Sequence, residues 1–518
     1  MNRTLDIAIA SGININYDKN IEIQSLKEIK KHASNAFGAF ISVKRSNEQA
    51  LEEYPEDIHG CIGDWDKDYN VLPGHDLLNI IKKVSYSATW NDSRRKYFNK
   101  HIYHDSYANY EIDYMLSPVY KVDYETGIII EKNELFNNDN YGLIADNGIG
   151  NRATYLRYVF KDVSWEYIRN RLINKSGSNV QTEFYCYEST IYKKKIKDYF
   201  IKKNFKIYYT NFITFMNNYY NTFIPYKIDN NNKLIIDKSQ AIRNVATMND
   251  ILKIKNILEN DKIIENIYID IEYYIKLYVN NTKKYRQMSA FLLLVLNILI
   301  TLYKDKQLFN IKNKICQNLY KSINNLEPRF ERGEVLISLV EVCPQIKKII
   351  NTQQKMYKEK KELQNVTEDD IFQLNWEAKF LYSLNKFIKK NKHQKNKIHS
   401  SKKHKKNKIH SLKINNSTLN NRKYIITHTT YLTDAMLKIS SNFNETTETN
   451  YLATAFEGLC SLRYLVSNKY KIKVNDTILY LFYLLQQKYE PKYGLYRFLS
   501  GDKRLDITGH IINGMIVL

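Results

Sequence analysis

Residues 58–65 read IHGCIGDW, and the folding of this stretch decides the architecture of the first part of the chain. Ile58, Ile62 and Trp65 are of the β-branched and aromatic kind that strands favour, while Gly60 and Gly63, three apart, predict a strand that bends sharply at both. Cys61 is expected inside that bend. Upstream, the apolar run FGAFISV (37–43) predicts a buried strand. A capping box of Ser25 and Glu28, with Leu26, Ile29, Ala33 and Ala36 on one face, predicts a short helix before it. Downstream, LLNIIKKVSYSATW (77–90) has helical spacing, and extended segments are expected around 110–122, 127–131, 141–145 and 153–159. Residues 1–204 therefore predict an α+β domain, a mixed sheet with helices.

Beyond residue 205 strand signals fade and helical ones recur. Thr247 to Asp250 precedes the apolar face Ile251, Ile254, Leu258; Thr367 to Asp370 precedes Ile371, Leu374, Ala378, Leu381; Asn475 or Asp476 is placed to cap 478–485. Room remains for roughly ten to twelve helices with short links, which predicts an all-α domain over 205–518. The stretch YKKKIKDYFIKKNFKIYY (192–209) predicts an amphipathic helix whose lysine stems cover apolar surface. Eleven lysines and no acid fall between 389 and 413, where KNKIHS occurs twice, at 395–400 and 406–411. Like charges this dense repel, so a solvated, disordered insert is expected at 389–423.

With 518 residues, 43% of them hydrophobic, the chain is long enough for two or three separate cores. The formal charge of +23 points to acidic partners, an acidic protein or nucleic acid, but eleven of those charges sit between 389 and 413. Asn, Ile, Lys and Tyr are abundant together, as coding rich in A and T produces, which weakens the argument for nucleic acid. The five cysteines include no CxxC pair and predict neither a disulfide framework nor a zinc site, so a reducing, cytoplasmic location is expected. No signal peptide is expected at the N-terminus. The apolar run 288–303 is too short for a bilayer and contains Asn297 and Thr301, so it predicts a buried helix and no membrane span. No P-loop, HExxH pair or GxSxG elbow is present, and neither a metal nor a cofactor is expected.

The order GAFISV (38–43), HGCIGDW (59–65), ATWNDSR (88–94), YGLI (141–144), NRATYL (151–156), Trp165 and KSG (175–177) resembles the AMMECR family domain, named after the AMME-syndrome chromosomal region. The resemblance covers roughly residues 25–200 and implies an α+β domain with a cleft around the Gly-Cys-Ile-Gly core. The family's Leu-Arg before that core is Ile58 and His59 here, its Pro-rich stretch after Arg94 is absent, and Arg157 stands where a Pro is expected. Cys61 stands between Gly60 and Gly63, whose missing side chains let a ligand approach. A thiolate there could attack an electrophile if His59, Arg94 or Arg152 favoured it, with Asp92 to orient His59 and Thr154 and Tyr155 to bind substrate. A small buried cysteine filling a tight bend explains the same residues.

In the last fifth of the chain, NYLATAFEGLCSLRYL (450–465), YGLYRF (493–498), RLDITGH (504–510) and the closing IINGMIVL, with NWEAKFLYSL (375–384) before them, are similar to α/α-toroid (six-hairpin) proteins, which include carbohydrate epimerases, lyases and hydrolases. That similarity implies Glu457, Asp506 and His510 as candidate catalytic residues, with Arg504 and Tyr496 binding a polar or anionic substrate. A surface pairing of Arg504 and helix capping by Asp506 account for part of the pattern equally well. Three functions follow: a cytosolic enzyme using Cys61, a carbohydrate-active helical domain, or a scaffold that docks through its basic insert.

Overall fold

A computed structural model describes residues 1–13, 17, 19–44, 58–93, 109–160, 163–177, 182–196, 202–254, 261–323, 331–345, 349, 365–401 and 414–518. The chain divides into two compact units, Met1–Tyr199 and Phe200–Leu518.

The first unit runs α1 (Asn2–Gly12), α2 (Lys19–His32), β1 (Ala36–Lys44), β2 (Ile58–Trp65), α3 (Gly74–Trp90), β3 (Asn109–Val122), β4 (Ile128–Ile129), β5 (Glu134–Leu135), β6 (Gly142–Asp146), β7 (Arg152–Tyr155), α4 (Trp165–Ser176) and β8 (Glu183–Lys195). The strands form one antiparallel sheet in the order β2-β1-β3-β8-β6-β7, with β4 and β5 attached to β3. The α+β arrangement is as expected, but every strand pairing among the described residues is antiparallel, so the expected mixed sheet is corrected. Arg152 on β7 donates to the carbonyl of Lys67, two residues past β2, so the sheet curls until its two edges approach each other.

Strand β2 pairs with β1 in unbroken register from Trp65 opposite Gly38 to Gly60 opposite Val43, and the pairing shifts only beyond Gly60. The expected sharp bends at Gly60 and Gly63 are therefore corrected, and Cys61 lies within a regular strand. The glycines serve close packing. A Cβ at Gly60 would collide with the Ala88 carbonyl oxygen of α3, and one at Gly63 would collide with the Phe40 ring. Alternation of side chains along the strands sends Val43, Ile41, Tyr110 and Ile112 to one face, where the Tyr110 hydroxyl meets Thr89 of α3 at 2.5 Å. Cys61, Ser42, Phe40 and Asp113 share the other face.

The expected capping box is corrected too. Ser25 lies inside α2 and donates to the Ile21 carbonyl at 2.7 Å. Glu28 instead accepts from the backbone N–H groups of Arg3 (3.0 Å) and Thr4 (3.1 Å), and so satisfies the open start of the neighbouring α1.

The second unit contains α5 (Lys202–Tyr219), β9 (Lys227–Ile228), β10 (Leu234–Ile235), α6 (Ala241–Ile254), α7 (Asp261–Asn280), α8 (Arg286–Tyr303), α9 (Lys306–Ser322), α10 (Glu331–Val342), α11 (Ile371–Ser401), α12 (Ile414–Ser440), α13 (Thr449–Leu462), α14 (Asn468–Gln486), β11 (Tyr489–Glu490), β12 (Leu495–Tyr496), β13 (Lys503–Arg504) and α15 (Leu505–Val517). It is helical, with a three-stranded ribbon β10-β9-β13 and the hairpin β11-β12, so the all-α expectation is corrected by these short strands. Six helices touch in a closed cyclic order: α6, α8, α10, α11, α13, α15 and back to α6. Each of α5, α7, α9, α12 and α14 packs on one or more of them. The cyclic order explains a feature of the sequence: α13 is buried at every position from Leu452 to Leu462, as a helix enclosed by neighbours on all sides must be.

Helix α8 is the one helix, among the described residues, long and apolar enough to cross a membrane. More than half of it is buried inside this unit, packed on α6 and α10.

Several local expectations change. Thr367 and Asp370 do form a capping box, at the start of the turn leading into α11. Thr247 and Asn475, by contrast, lie inside α6 and α14 rather than at their starts. The stretch 192–209 is not one helix, because β8 extends through Lys195 and α5 begins at Lys202. The disordered insert is also corrected: α11 continues through Ser401 and α12 starts at Ile414, while 402–413 lies outside the described residues. Finally, Cys316 on α9 and Cys343 just past α10 are joined in a disulfide. Cysteine usage therefore gives no support to a reducing compartment.

Candidate functional site

The six cyclically packed helices surround a cavity of about 680 Å³, to which all six contribute side chains. That volume falls within the usual range for small-molecule sites. His510 of α15 lines it, and its Nδ1 lies 2.8 Å from Oε2 of Glu457 on α13. Glu457 is 1% exposed and is held from α11 as well: Asn375 Nδ2 donates to Oε2 at 3.0 Å, and Lys379 Nζ to Oε1 at 2.7 Å. Burial alone would push the Glu457 carboxyl up. The Lys379 ammonium beside it and the hydrogen bond with His510 outweigh burial and hold it well below the usual carboxylate range. An ionised carboxylate next to Nδ1 makes that nitrogen the donor, which leaves Nε2 as the imidazole's proton acceptor.

Asparagine 375 and Lys379 stand four residues apart on one face of α11, with Trp376 between them. Trp376 joins the cavity wall, with Lys379 Nζ 4.1 Å from its ring centre and the His510 ring edge-on at 6.1 Å. Arg504 ends β13 opposite Lys227 of β9 and lines the cavity. There Arg504 grips Asp506 with two hydrogen bonds, 3.0 Å from Nε and 2.5 Å from Nη2, and Arg243 of α6 approaches the same carboxylate at 3.7 Å. Asp506 does not cap α15, which has no side-chain cap.

Four of the five residues singled out in the last fifth of the chain thus come together: His510, Arg504 and Asp506 line the cavity, and Glu457 backs His510. Tyr496 does not join them. It is buried behind the wall, its hydroxyl accepting from Gln486 Nε2 at 3.3 Å. Sequence reasoning missed Asn375, Lys379, Asp250, Asn249 and Arg243. The spacing of Asn375 and Lys379 by one helical turn inside a helix already singled out was the available signal. Nothing in the local pattern of α6 marked Asp250 as more than a capping residue.

In the first unit Cys61 and Asp92 do meet, but through the backbone: the Cys61 N–H donates to Asp92 Oδ2 at 2.9 Å. The Ser42 hydroxyl donates to the Cys61 sulfur at 3.1 Å, and Cys61 packs against a cluster containing Phe40, Met115 and Tyr187. Arg152 is occupied by Asp146 at 2.6 Å and by the Tyr69 ring at 5.4 Å. Thr154 is buried, donating to the Leu143 carbonyl at 2.8 Å, and Tyr155 lies edge-on to Phe160 under the Lys175 ammonium. The His59 side chain and Arg94 lie outside the described residues.

Comparisons with protein-family models, with curated proteins and with solved structures find no match to this chain.

Proposed function

We propose that the second unit is a carbohydrate-active enzyme of the α/α-toroid type, in which His510, oriented by Glu457, exchanges a proton with a substrate held in the six-helix cavity. The observation that carries this is the contact of His510, in the cavity wall, with a fully buried Glu457 behind it. A carboxylate on Nδ1 sets the tautomer and steadies the imidazolium that forms when Nε2 takes a proton. The cyclic helix order and the Trp376 wall, a flat apolar surface suited to a sugar ring, support the same assignment. Two-carboxylate hydrolysis is less well supported. Glu457 is saturated by Asn375, Lys379 and His510, and Asp506 is saturated by Arg504, so neither is poised to attack or protonate a glycosidic bond.

The test is turnover of neutral and acidic oligosaccharides by the full chain, followed by mass spectrometry, for the wild type and His510→Gln. Turnover lost in the variant with the fold retained is expected. Turnover unaffected by His510→Gln, or no binding across the panel, would overturn the assignment.

For the first unit we infer an AMMECR-like scaffold in which Cys61 is a packing residue. Close contact of Gly60 with α3 and of Gly63 with Phe40 accounts for the Gly-Cys-Ile-Gly pattern without a reaction.

A further inference from the structure

The first unit carries on its surface a feature that the cavity chemistry of the second does not touch. Tyr158, three residues past β7, has a φ of +67° and is 51% exposed. A residue with a ring keeps that left-handed backbone only where its surroundings hold it there. Asn138, 4% exposed, does the holding. Its carbonyl accepts from the Tyr158 N–H at 2.8 Å and its Oδ1 from the Phe160 N–H at 2.7 Å, while its Nδ2 donates to the carbonyls of Tyr141 and Leu156, each at 3.1 Å. The turn is fixed on both sides of Tyr158, yet packing gains little from a ring left half in water.

Cations lie over this ring and its neighbours. The Arg157 guanidinium is 4.4 Å from the Tyr158 ring centre, Lys175 Nζ is 4.7 Å from that of Tyr155, and the Arg171 guanidinium is 5.8 Å from that of Tyr167. Tyr167, Arg171 and Lys175 follow one another at intervals of four along α4, so they share one face of it, and all three are exposed. Phe160 links the rings, edge-on to Tyr155 at 4.7 Å and to Tyr167 at 6.1 Å. Between 151 and 177 the chain has six cations and two acids, Asp162 and Glu166. Acids from outside that stretch take two of the cations, Arg152 by Asp146 and Arg169 by Glu125, which leaves an excess of two positive charges. Arg157 also acts on Asp113, but burial raises that carboxyl to about 7. Neither Arg157 nor Arg171 has a carboxylate within ion-pair distance among the described residues.

We propose that this face of the first unit binds a single-stranded nucleic acid, with bases stacked on the half-exposed rings of Tyr158 and Tyr167 and phosphates held by Arg157, Arg171 and Lys175. Rings set beside cations match a strand in which every base comes with a phosphate, and a ring accepts any base because every base has a flat face. A duplex keeps its bases stacked inside and offers only its backbone to the cations. Polyphosphate or an acidic peptide would use the charges and leave the rings idle. The backbone at Tyr158 fits the same role, since it sets the ring in place before a strand arrives.

Binding is measured by fluorescence anisotropy on the full chain, with labelled oligouridylate and oligothymidylate of about 12 nucleotides and with duplex DNA and polyphosphate as unlabelled competitors. Both single strands are expected to bind. Tyr158→Ala and Tyr167→Ala leave the charge of the chain unchanged and should each weaken binding about 5–150-fold, whereas Tyr158→Phe keeps a ring and should bind as the wild type does. Arg171→Gln should flatten the dependence of log affinity on log salt by about 0.7. The ring variants separate this face from the lysines at 389–413, whose attraction for any polyanion they leave alone. Should a ring variant fail to fold, photocrosslinking of the wild type to a strand carrying 4-thiouridine supplies the test, with adducts expected on peptides from 155–175. Wild-type affinity in both ring variants, competition by duplex or polyphosphate equal to that of the single strand, or adducts confined to 389–413 would each overturn the proposal.

Discussion

Lys379 Nζ and Glu457 Oε1 are 2.7 Å apart, with side chains 14% and 1% exposed, and together they form an ion pair that ties α11 to α13 inside the helical unit. Removing water from both charges is costly, and the pair is tolerable because Asn375 and His510 complete the hydrogen bonding of the carboxylate.

Breaking that pair from one side should be worse than removing it. Glu457→Gln leaves the Lys379 ammonium enclosed without its counter-charge and should cost about 3–5 kcal/mol of stability. Glu457→Gln combined with Lys379→Met should recover more than half of the loss. Urea unfolding of the two single variants and the double variant measures the coupling, and strictly additive losses would show that the two charges do not stabilise each other.

Acid should act on the helical unit through the same carboxylate. Its folded-state pKa is depressed, so the unfolded state binds the proton more readily as pH falls, and the contribution is complete above the ordinary carboxylate range and lost below about pH 4. Unfolding midpoints of wild type and Glu457→Gln should converge as pH drops from 5 to 3, and a constant gap would contradict this.

Asp113 should give the opposite slope in the first unit. Burial raises its carboxyl from 3.8 to about 7 despite Ser189 and Arg157 nearby. Between those two values the unfolded chain has lost this proton and the folded one has kept it, so stability falls as pH rises through that window and levels off above it. Asp113→Asn should remove the slope and gain up to about 4 kcal/mol at pH 8. Denaturant midpoints at pH 5 and pH 8 provide the measurement, and equal pH dependence in both proteins would refute it.

Two glycines in the first unit should respond in opposite directions. Gly60→Ala drives a methyl into the Ala88 carbonyl, which belongs to the backbone of α3 and cannot step aside, so a loss of about 3 kcal/mol or more is expected. At Gly74, the first residue of α3, a Cβ meets only Leu26 and Ile29 at 3.7 and 3.8 Å, so Gly74→Ala should stabilise by about 0.4–1 kcal/mol. Thermal unfolding distinguishes them, and a harmless Gly60→Ala would mean that α3 does not rest on β2.

Cys61 should behave as a packing residue. Its sulfur accepts from Ser42 and lies against the cluster of Phe40, Met115 and Tyr187. Iodoacetamide should modify it at neutral pH no faster than an unstructured thiol, and faster labelling in a peptide-resolved experiment would reinstate the nucleophile.

Amino-acid order alone settled whatever depends on neighbours along the chain. The apolar run at 37–43 and the helical spacing at 77–90 identify β1 and α3 because burial on one face imposes a period that short segments carry by themselves. Thr367 and Asp370 likewise announce a helix start, since both halves of a capping box lie within one turn. Ser25 and Glu28 show the same spacing and do something else, because the partner of Glu28 is the start of another helix. Only tertiary packing could decide that, and only packing reveals why Gly60 and Gly63 lack side chains. The same holds for the cavity. Glu457, Lys379, His510 and Asp250 come from four separate helices, and their distances follow from how those helices close on one another, a relation that no periodicity within a single helix encodes.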